Sequence, residues 1–162
     1  MSFSGSGKVT LSPGLYVLTD NFNLTGSGSV TGANVTILMA AGTSSSPRIL
    51  SVAGSSTFVL SAARTVDATN GQIPGIVFAS LSTGSSTVYT GSSVSPFVGV
   101  IYYPNGPVKH TGSSYSGSPG CAELIAYSID LTGSSTFDAS TCSDYGAASF
   151  PSVPTKNARL VK

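Results

Sequence analysis

The stretch that decides the fold is VKHTGSSY, residues 108–115, because IDLTGSST repeats its pattern further along the chain, at residues 129–136. The alignment places Lys109 on Asp130 and superimposes the two Thr-Gly-Ser-Ser runs. Side chains alternate across a β-strand, so His110 lies on the face opposite Lys109. The alignment therefore predicts two neighbouring parallel strands that belong to successive turns of a repeat.

The same core, a small polar residue followed by Gly and Ser, occurs throughout the chain between larger residues. Its copies are LTGSGSV at 24–30, VAGSSTF at 52–58, STGSSTV at 82–88, YTGSSV at 89–94, HTGSSY at 110–115 and LTGSSTF at 131–137. The marker glycines are Gly26, Gly54, Gly91, Gly112 and Gly133, with Gly84 as an extra copy, and the last two intervals between them are equal. Self-similarity of this kind is typical of repeat architectures.

Short β-favouring runs lie between the markers and are bounded by turn-forming residues. They are GLYVL from Gly14, VTILM from Val35, RILSV from Arg48, GIVFA from Gly75, VGVIYY from Val98 and ELIAYSI from Glu123. They are rich in β-branched and aromatic residues, and no segment has a sustained helical period. We therefore predict an all-β, single-domain parallel β-solenoid with about 20–30 residues per turn. Because parallel crossovers are right-handed, we expect a right-handed β-helix.

A β-sandwich is the alternative fold. It would need antiparallel hairpins with tight two-residue turns, and the Asn-Gly pairs at 70–71 and 105–106 do not lie between alternating strands. The predicted solenoid domain covers residues 1–150, and residues 151–162 form a C-terminal tail. The number of turns between Ser61 and Pro96 stays open.

The composition excludes several classes of partner. Charged residues make up 8% of the chain and the net charge is +1, so no basic surface for nucleic acid is expected. There is no apolar run long enough to cross a bilayer, and we expect no membrane contact by this part of the chain. The stretch SGSGKVT, residues 4–10, does not fit a phosphate-binding loop because Val follows its Lys. We interpret it as a flexible leading segment.

The histidine next to Lys109 invites a catalytic interpretation, but no positioned nucleophile accompanies it. His110 is expected to occupy the interior or its margin with a hydrogen-bond partner, together with Ile129 and Leu131. Lys109 and Asp130 are expected to form a cross-turn ion pair that contributes roughly 0–1 kcal/mol if exposed. We predict no catalytic residue.

The carboxylates do not have the spacing of a calcium loop, and His and Cys do not have the spacing of a zinc site. No metal and no cofactor is predicted. A polysaccharide lyase or hydrolase, or a carbohydrate-binding protein on the same scaffold, remains the alternative, and Asp130 and Glu123 are the acids whose substitution tests it. Exposed tyrosines could stack on sugars, although Tyr102 and Tyr127 are expected to lie in the core or on one another.

Two cysteines, Cys121 and Cys142, flank the last clear turn. A disulfide between them would close a loop of about 20 residues and contribute roughly 3 kcal/mol in the chain-entropy model. It would also cap the terminal turn of the stack. Two cysteines in a Ser- and Thr-rich, charge-poor chain are typical of an exported protein.

Residues 99–142, GVIYYPNGPVKHTGSSYSGSPGCAELIAYSIDLTGSSTFDASTC, resemble the C-terminal region of TadG-like proteins of the tight-adherence (Flp) pilus assembly system. The resemblance is carried by GVIYYPNGPV, by the Gly-Cys before ELIAYSI, by LTGSST with the second Cys, and by the closing ARLVK. It implies a bacterial, extracytoplasmic structural or adhesive module without catalytic residues. Expected partners are other pilus or envelope proteins, or surface glycans, and self-association through the end turns is a further possibility.

Overall fold

A computed structural model describes residues 1–40, 43, 45–67, 69–83, 85–90, 97–112, 120–134 and 137–147. The described chain is all-β, as predicted, apart from one short 3₁₀ helix at Cys142–Tyr145. The strands are β1 Ser2–Phe3, β2 Lys8–Leu11, β3 Gly14–Leu18, β4 Phe22–Leu24, β5 Ser29–Gly32, β6 Val35–Met39, β7 Arg48–Val52, β8 Thr57–Ser61, β9 Ile76–Ala79, β10 Ser85–Tyr89, β11 Phe97–Gly112 and β12 Ala122–Gly133. The predicted tail at 151–162 lies outside the described residues.

The strands form a curled parallel sheet. Eight of them follow the order β1-β4-β7-β10-β11-β8-β5-β2, and β3, β6, β9 and β12 pair alongside this path. Every strand pair that the structure describes is parallel. The antiparallel hairpins of a β-sandwich therefore do not occur among the described strands.

Three ladders run along the curled sheet. Ladder A contains β1, β4, β7, β10, the second half of β11 and the second half of β12. Ladder B contains β2, β5, β8 and the start of β11. Ladder C contains β3, β6, β9, the middle of β11 and the first half of β12. β11 and β12 each pass from one ladder to another, and their mutual register shifts between Tyr103 and Pro107.

The spacing of the marker glycines is also the register of ladder A. Phe22 pairs with Leu50, and Leu50 pairs in turn with Thr87. Thr87 then pairs with Val108, and Val108 with Ile129. The offsets along this series equal the intervals between successive marker glycines, because the marker glycines that the structure describes lie where a strand of ladder A ends.

The corner glycines stack directly on one another. Gly26 has φ +89°, and a Cβ on it would lie 2.9 Å from the carbonyl oxygen of Gly5. Gly54, with φ +80°, stands in the same relation to Gly26, also at 2.9 Å. Only glycine combines a left-handed backbone with so close an approach. The interpretation of residues 4–10 as a flexible leading segment is wrong, since Gly5 forms the first corner and β2 begins at Lys8.

The core lies inside the curl and is filled by side chains from all three ladders. Phe22, Phe58 and Phe78 are each at most 1% exposed, and their neighbouring ring centroids lie 5.5 and 5.4 Å apart. Phe3 from the first strand extends this row at 5.8 Å. One phenylalanine from each of β1, β4, β8 and β9 thus contributes to a continuous apolar centre.

The last strand departs from this pattern. Ile129 and Leu131 continue the buried positions of Val108 and His110 in the predicted register. They are nevertheless 46% and 49% exposed, whereas Val108 and His110 are fully buried. Their expected interior position was therefore wrong, because no strand of the described residues lies on the far side of β12.

Candidate functional site

His110 occupies a ring stack inside ladder A. Its imidazole stacks on Tyr89 at a centroid distance of 4.3 Å and meets the edge of Phe137 at 5.1 Å. The residue has no solvent-exposed surface. Tyr89 and His110 are direct register partners, so the strand pairing itself places one ring on the other. The expected interior position of His110 is confirmed, and its neighbours hold it as a packing element.

Burial shifts the pKa values of His110, Tyr89 and Tyr103. Desolvation lowers the pKa of His110 to about 4, because the charged imidazolium loses its hydration inside the core. The same cause raises the pKa of Tyr89 and of Tyr103 well above the ordinary range. All three groups are therefore neutral at physiological pH, which suits packing better than proton transfer.

We expect the stability to depend on pH through His110. The unfolded histidine titrates near 6.5 and the folded one near 4, so the unfolded chain binds the extra proton between these values. The free energy of unfolding should fall by about 1.5 kcal/mol between pH 6.5 and pH 5. Urea titrations at several pH values measure it.

The matched control is His110→Phe, which keeps an aromatic ring between Tyr89 and Phe137 and cannot titrate. Its free energy of unfolding should vary much less than that of the wild type over the same pH range. An equal slope in both proteins would assign the pH dependence to other groups.

Lys109 and Asp130 lie on the outer surface of ladder A. Lys109 Nζ is 3.5 Å from Asp130 Oδ2, and the two side chains are 50% and 56% exposed. They are register partners on successive strands, as the repeat alignment predicted. An ion pair this exposed contributes roughly 0–1 kcal/mol, so it marks the register more than it stabilises the fold.

The acids of the described chain are dispersed and are mostly engaged at corners. Asp20 lies 3.6 Å from Arg48. Asp67 accepts a hydrogen bond from the Thr69 backbone and Asp138 one from the Ser140 backbone, and each bond lowers the pKa of its carboxyl. Partial burial instead raises the pKa of Glu123. Asp67 and Asp138 thus fix turns, whereas Glu123 lies within β12.

Cys121 and Cys142 form a disulfide across the last turn. Both are buried and pack with Val98 in a small cluster of their own. The bond ties the 3₁₀ helix to the residue directly before β12, and the helix also contacts the segment between β8 and β9. There the guanidinium of Arg64 lies 4.5 Å over the ring of Tyr145 and donates to its hydroxyl at 3.2 Å.

The contact between the C-terminal residues and the segment between β8 and β9 also explains why residue 75 is a glycine. Gly75 has φ +76°, and a Cβ on it would lie 2.8 Å from the backbone nitrogen of Ala147. The two backbones are therefore in direct contact. Sequence reasoning found the disulfide but missed this docking, because residues 62–75 carry no repeat signal that would link them to the C-terminal part of the chain.

The prediction that Tyr102 and Tyr127 lie in the core or on one another is wrong. Tyr102 is half-buried on the outer surface of ladder C and pairs with Ile125, while Tyr127 is 80% exposed. They are neither core residues nor register partners, since Tyr102 pairs with Ile125 and Tyr127 lies at the register shift, between the partners of Tyr103 and Pro107. Tyr103, one residue further on, is the buried tyrosine. Tyr102 instead lines an apolar groove whose other lining residues are Leu38, Ile73, Ile76, Ala79 and Leu81.

Among the residues that the structure describes, no three His, Cys, Asp or Glu side chains come together as a metal site. The described part of the chain contains no helix long and apolar enough to span a bilayer. No family model, no curated protein and no solved structure matches the chain.

Proposed function

We propose that the chain is a right-handed β-solenoid that acts as a non-enzymatic structural or adhesive module of a bacterial, extracytoplasmic, pilus-associated surface protein. The observation that carries the proposal is the stack of corner glycines, in which Gly5, Gly26 and Gly54 lie backbone to backbone. Such a stack makes successive strands a rigid unit, and a rigid rod suits a surface module that projects from the cell envelope.

The disulfide supports an exported location. Cys121 is fully inaccessible and Cys142 is 5% exposed, so the bond is part of the packed structure and not a surface thiol pair. Structural disulfides persist in oxidising compartments and are rare in the cytosol. The low charge, 8% of residues, is also compatible with a surface built from Ser, Thr and Gly.

The non-enzymatic assignment rests on what the reactive side chains do. His110 is enclosed between Tyr89 and Phe137 with a lowered pKa. Asp130 faces Lys109 on the outer surface. His110 and Asp130, two of the side chains considered for acid–base chemistry, are thus engaged in packing and in an ion pair.

The test is a deletion of the coding region for residues 1–147 in the source bacterium, followed by counts of pili and of cells attached to a surface. We expect fewer attached cells, with attachment restored by the wild-type gene. Gly7→Ala should also restore attachment, whereas Gly54→Ala, which disrupts the corner stack, should not. Normal pili and normal attachment in the deletion strain would overturn the proposal.

Carbohydrate binding is the second candidate, favoured by the exposed ring of Tyr127 and the apolar groove beside Tyr102. Aromatic faces stack on the apolar faces of sugars. A glycan panel probed with wild-type protein and with Tyr127→Ala separates the candidates. Binding that disappears in Tyr127→Ala supports the second, and polysaccharide cleavage that disappears on substituting Asp130 or Glu123 would establish an enzyme instead.

A further inference from the structure

Ladder A begins at β1 and ends at β12, and each of these strands pairs with one other strand of the described chain. On β12, the edge from Tyr127 to Gly133 pairs with no further strand of the described chain, and Ile129 and Leu131 are half exposed there. At the other end, β1 pairs with β4 alone, and Met1 is 47% exposed beside the partly buried Phe3. Natural proteins usually protect such edges with charge, proline or a covering segment.

The strands at the two ends of ladder A are spaced alike along the chain. The offset between paired residues of ladder A is the same at both ends, from Ser2 to Asn23 and from Lys109 to Asp130. If the ladder continued into another copy, Asp130 would meet Ser2 of that copy and Leu131 would meet its Phe3. The exposed Leu131 of one end would then cover the partly exposed phenylalanine of the other.

Among the described residues, the glycine stack starts at the Gly5 corner. Gly26 stacks on Gly5 and Gly28 on Gly7, with a Cβ on Gly28 3.0 Å from the Gly7 carbonyl oxygen. Nothing lies within 4 Å of a Cβ built on Gly5 or Gly7. At the far end Gly133, with φ +95°, has the same left-handed corner conformation as Gly5, with φ +83°.

Charge distinguishes between two ways of joining copies. The side-chain charge of residues 1–19 is Lys8 alone, whereas residues 120–147 contain four acids and no Lys or Arg: Glu123, Asp130, Asp138 and Asp144. Two C-terminal ends facing each other would repel, and would also leave the left-handed corners unmatched. Head-to-tail joining avoids this repulsion and matches one left-handed corner to the next.

We propose that copies of this chain associate head to tail, with the β12 edge of one copy pairing in parallel with β1 and the Gly5 corner of the next. The interface is heterologous, so association is open-ended and produces short stacks instead of closed dimers. The proposal does not depend on the function of the chain, because it rests on the ends of the ladders alone.

The test is sedimentation velocity of the full chain over a wide concentration range. The wild-type average mass should rise with concentration without a plateau at the dimer. Leu131→Lys at one end and Gly7→Lys at the other should each weaken association at least roughly 30-fold, because a charge would be buried without a partner in the joint. Both positions are solvent-accessible in the single chain, so both variants should fold.

Mixing the two variants gives the decisive result. Each retains one intact end, so an equimolar mixture should form a dimer that does not grow, although each variant alone is monomeric. Leu81→Lys, at a 66% exposed apolar residue away from both ends, is the matched control and should associate like the wild type. A wild type that stays monomeric, a dimer insensitive to Gly7→Lys, or no dimer on mixing overturns the proposal.

Discussion

Gly26→Ala should lower the free energy of unfolding by about 3 kcal/mol. The left-handed φ of +89° costs a non-glycine residue about 1–2 kcal/mol. The new Cβ would also lie 2.9 Å from one backbone atom of Gly5 and 3.0 Å from another, and overpacking of this kind costs about 1–3 kcal/mol. Backbone cannot rotate aside as a side chain can, so the strain must spread into the neighbouring turn. Urea denaturation of the two proteins measures the difference.

Gly7→Ala is the matched control in the same corner motif. Position 7 has no positive φ, and its Cβ would have open space. Its unfolding free energy should differ from wild type by no more than about 0.5 kcal/mol. Equal stability losses in Gly7→Ala and Gly26→Ala would contradict the stacking explanation, because a Cβ on Gly7 meets nothing within 4 Å, and Gly→Ala acts on the unfolded chain in the stabilising direction.

Removal of the disulfide is the second large effect. The Cys121→Ala/Cys142→Ala double variant should lose about 3 kcal/mol of unfolding free energy, because the bond closes a loop with a sequence separation of 21 residues. Two buried sulfur atoms are lost together, so no lone thiol is left in the small cluster with Val98. Urea titrations with and without reductant compare the oxidised, reduced and double-variant proteins.

The reductant supplies the control. It should destabilise the wild type and leave the double variant unchanged. Amide exchange should also accelerate at Tyr145, whose contact with Arg64 depends on the 3₁₀ helix being held in place. A wild-type loss below about 1 kcal/mol on reduction would show that packing alone holds the last turn.

The strands and their register could be predicted because the repeat is strict where ladder A turns its corners. VTILM and RILSV coincide with β6 and β7, and the alignment of Val108 with Ile129 gives the observed pairing. A left-handed corner favours glycine wherever it recurs, so a marker glycine in the sequence indicates where a strand of ladder A ends. Strand pairing follows from these marks with no knowledge of the core.

The wrong predictions concern side-chain exposure and strand partners that the sequence repeat does not determine. Exposure of Ile129 and Leu131 depends on whether another strand follows, which side-chain alternation alone does not show. Tyr102 and Tyr127 were misplaced because the likeness of the two apolar runs does not determine their offset: Tyr102 pairs with Ile125, and Tyr127 lies at the register shift. The flexible interpretation of residues 4–10 failed because Gly and Ser are typical of both linkers and stacked corners.

The candidate site was predictable only in part. Lys109 and Asp130 followed from the alignment, and so did the inward position of His110. The partners of His110 did not, because Phe137 reaches it from beyond the end of β12. The apolar groove was missed for a related reason: Ile73 and Leu81 flank β9 in segments outside the repeat, and only the folded chain brings them beside Tyr102.

The position of the disulfide has a mechanical consequence. Tension applied beyond Cys142 passes through the sulfur atoms to Cys121, so the intervening residues, which include all of β12, bear no load along the covalent path. The force reaches the fold at Cys121, directly before the strand whose partner is β11. While the bond is intact, a pull beyond Cys142 cannot peel β12 from β11 residue by residue from its C-terminal end. In the adhesive role that we propose, the bond would protect the fold where a pull on the C-terminal side begins to separate the strands.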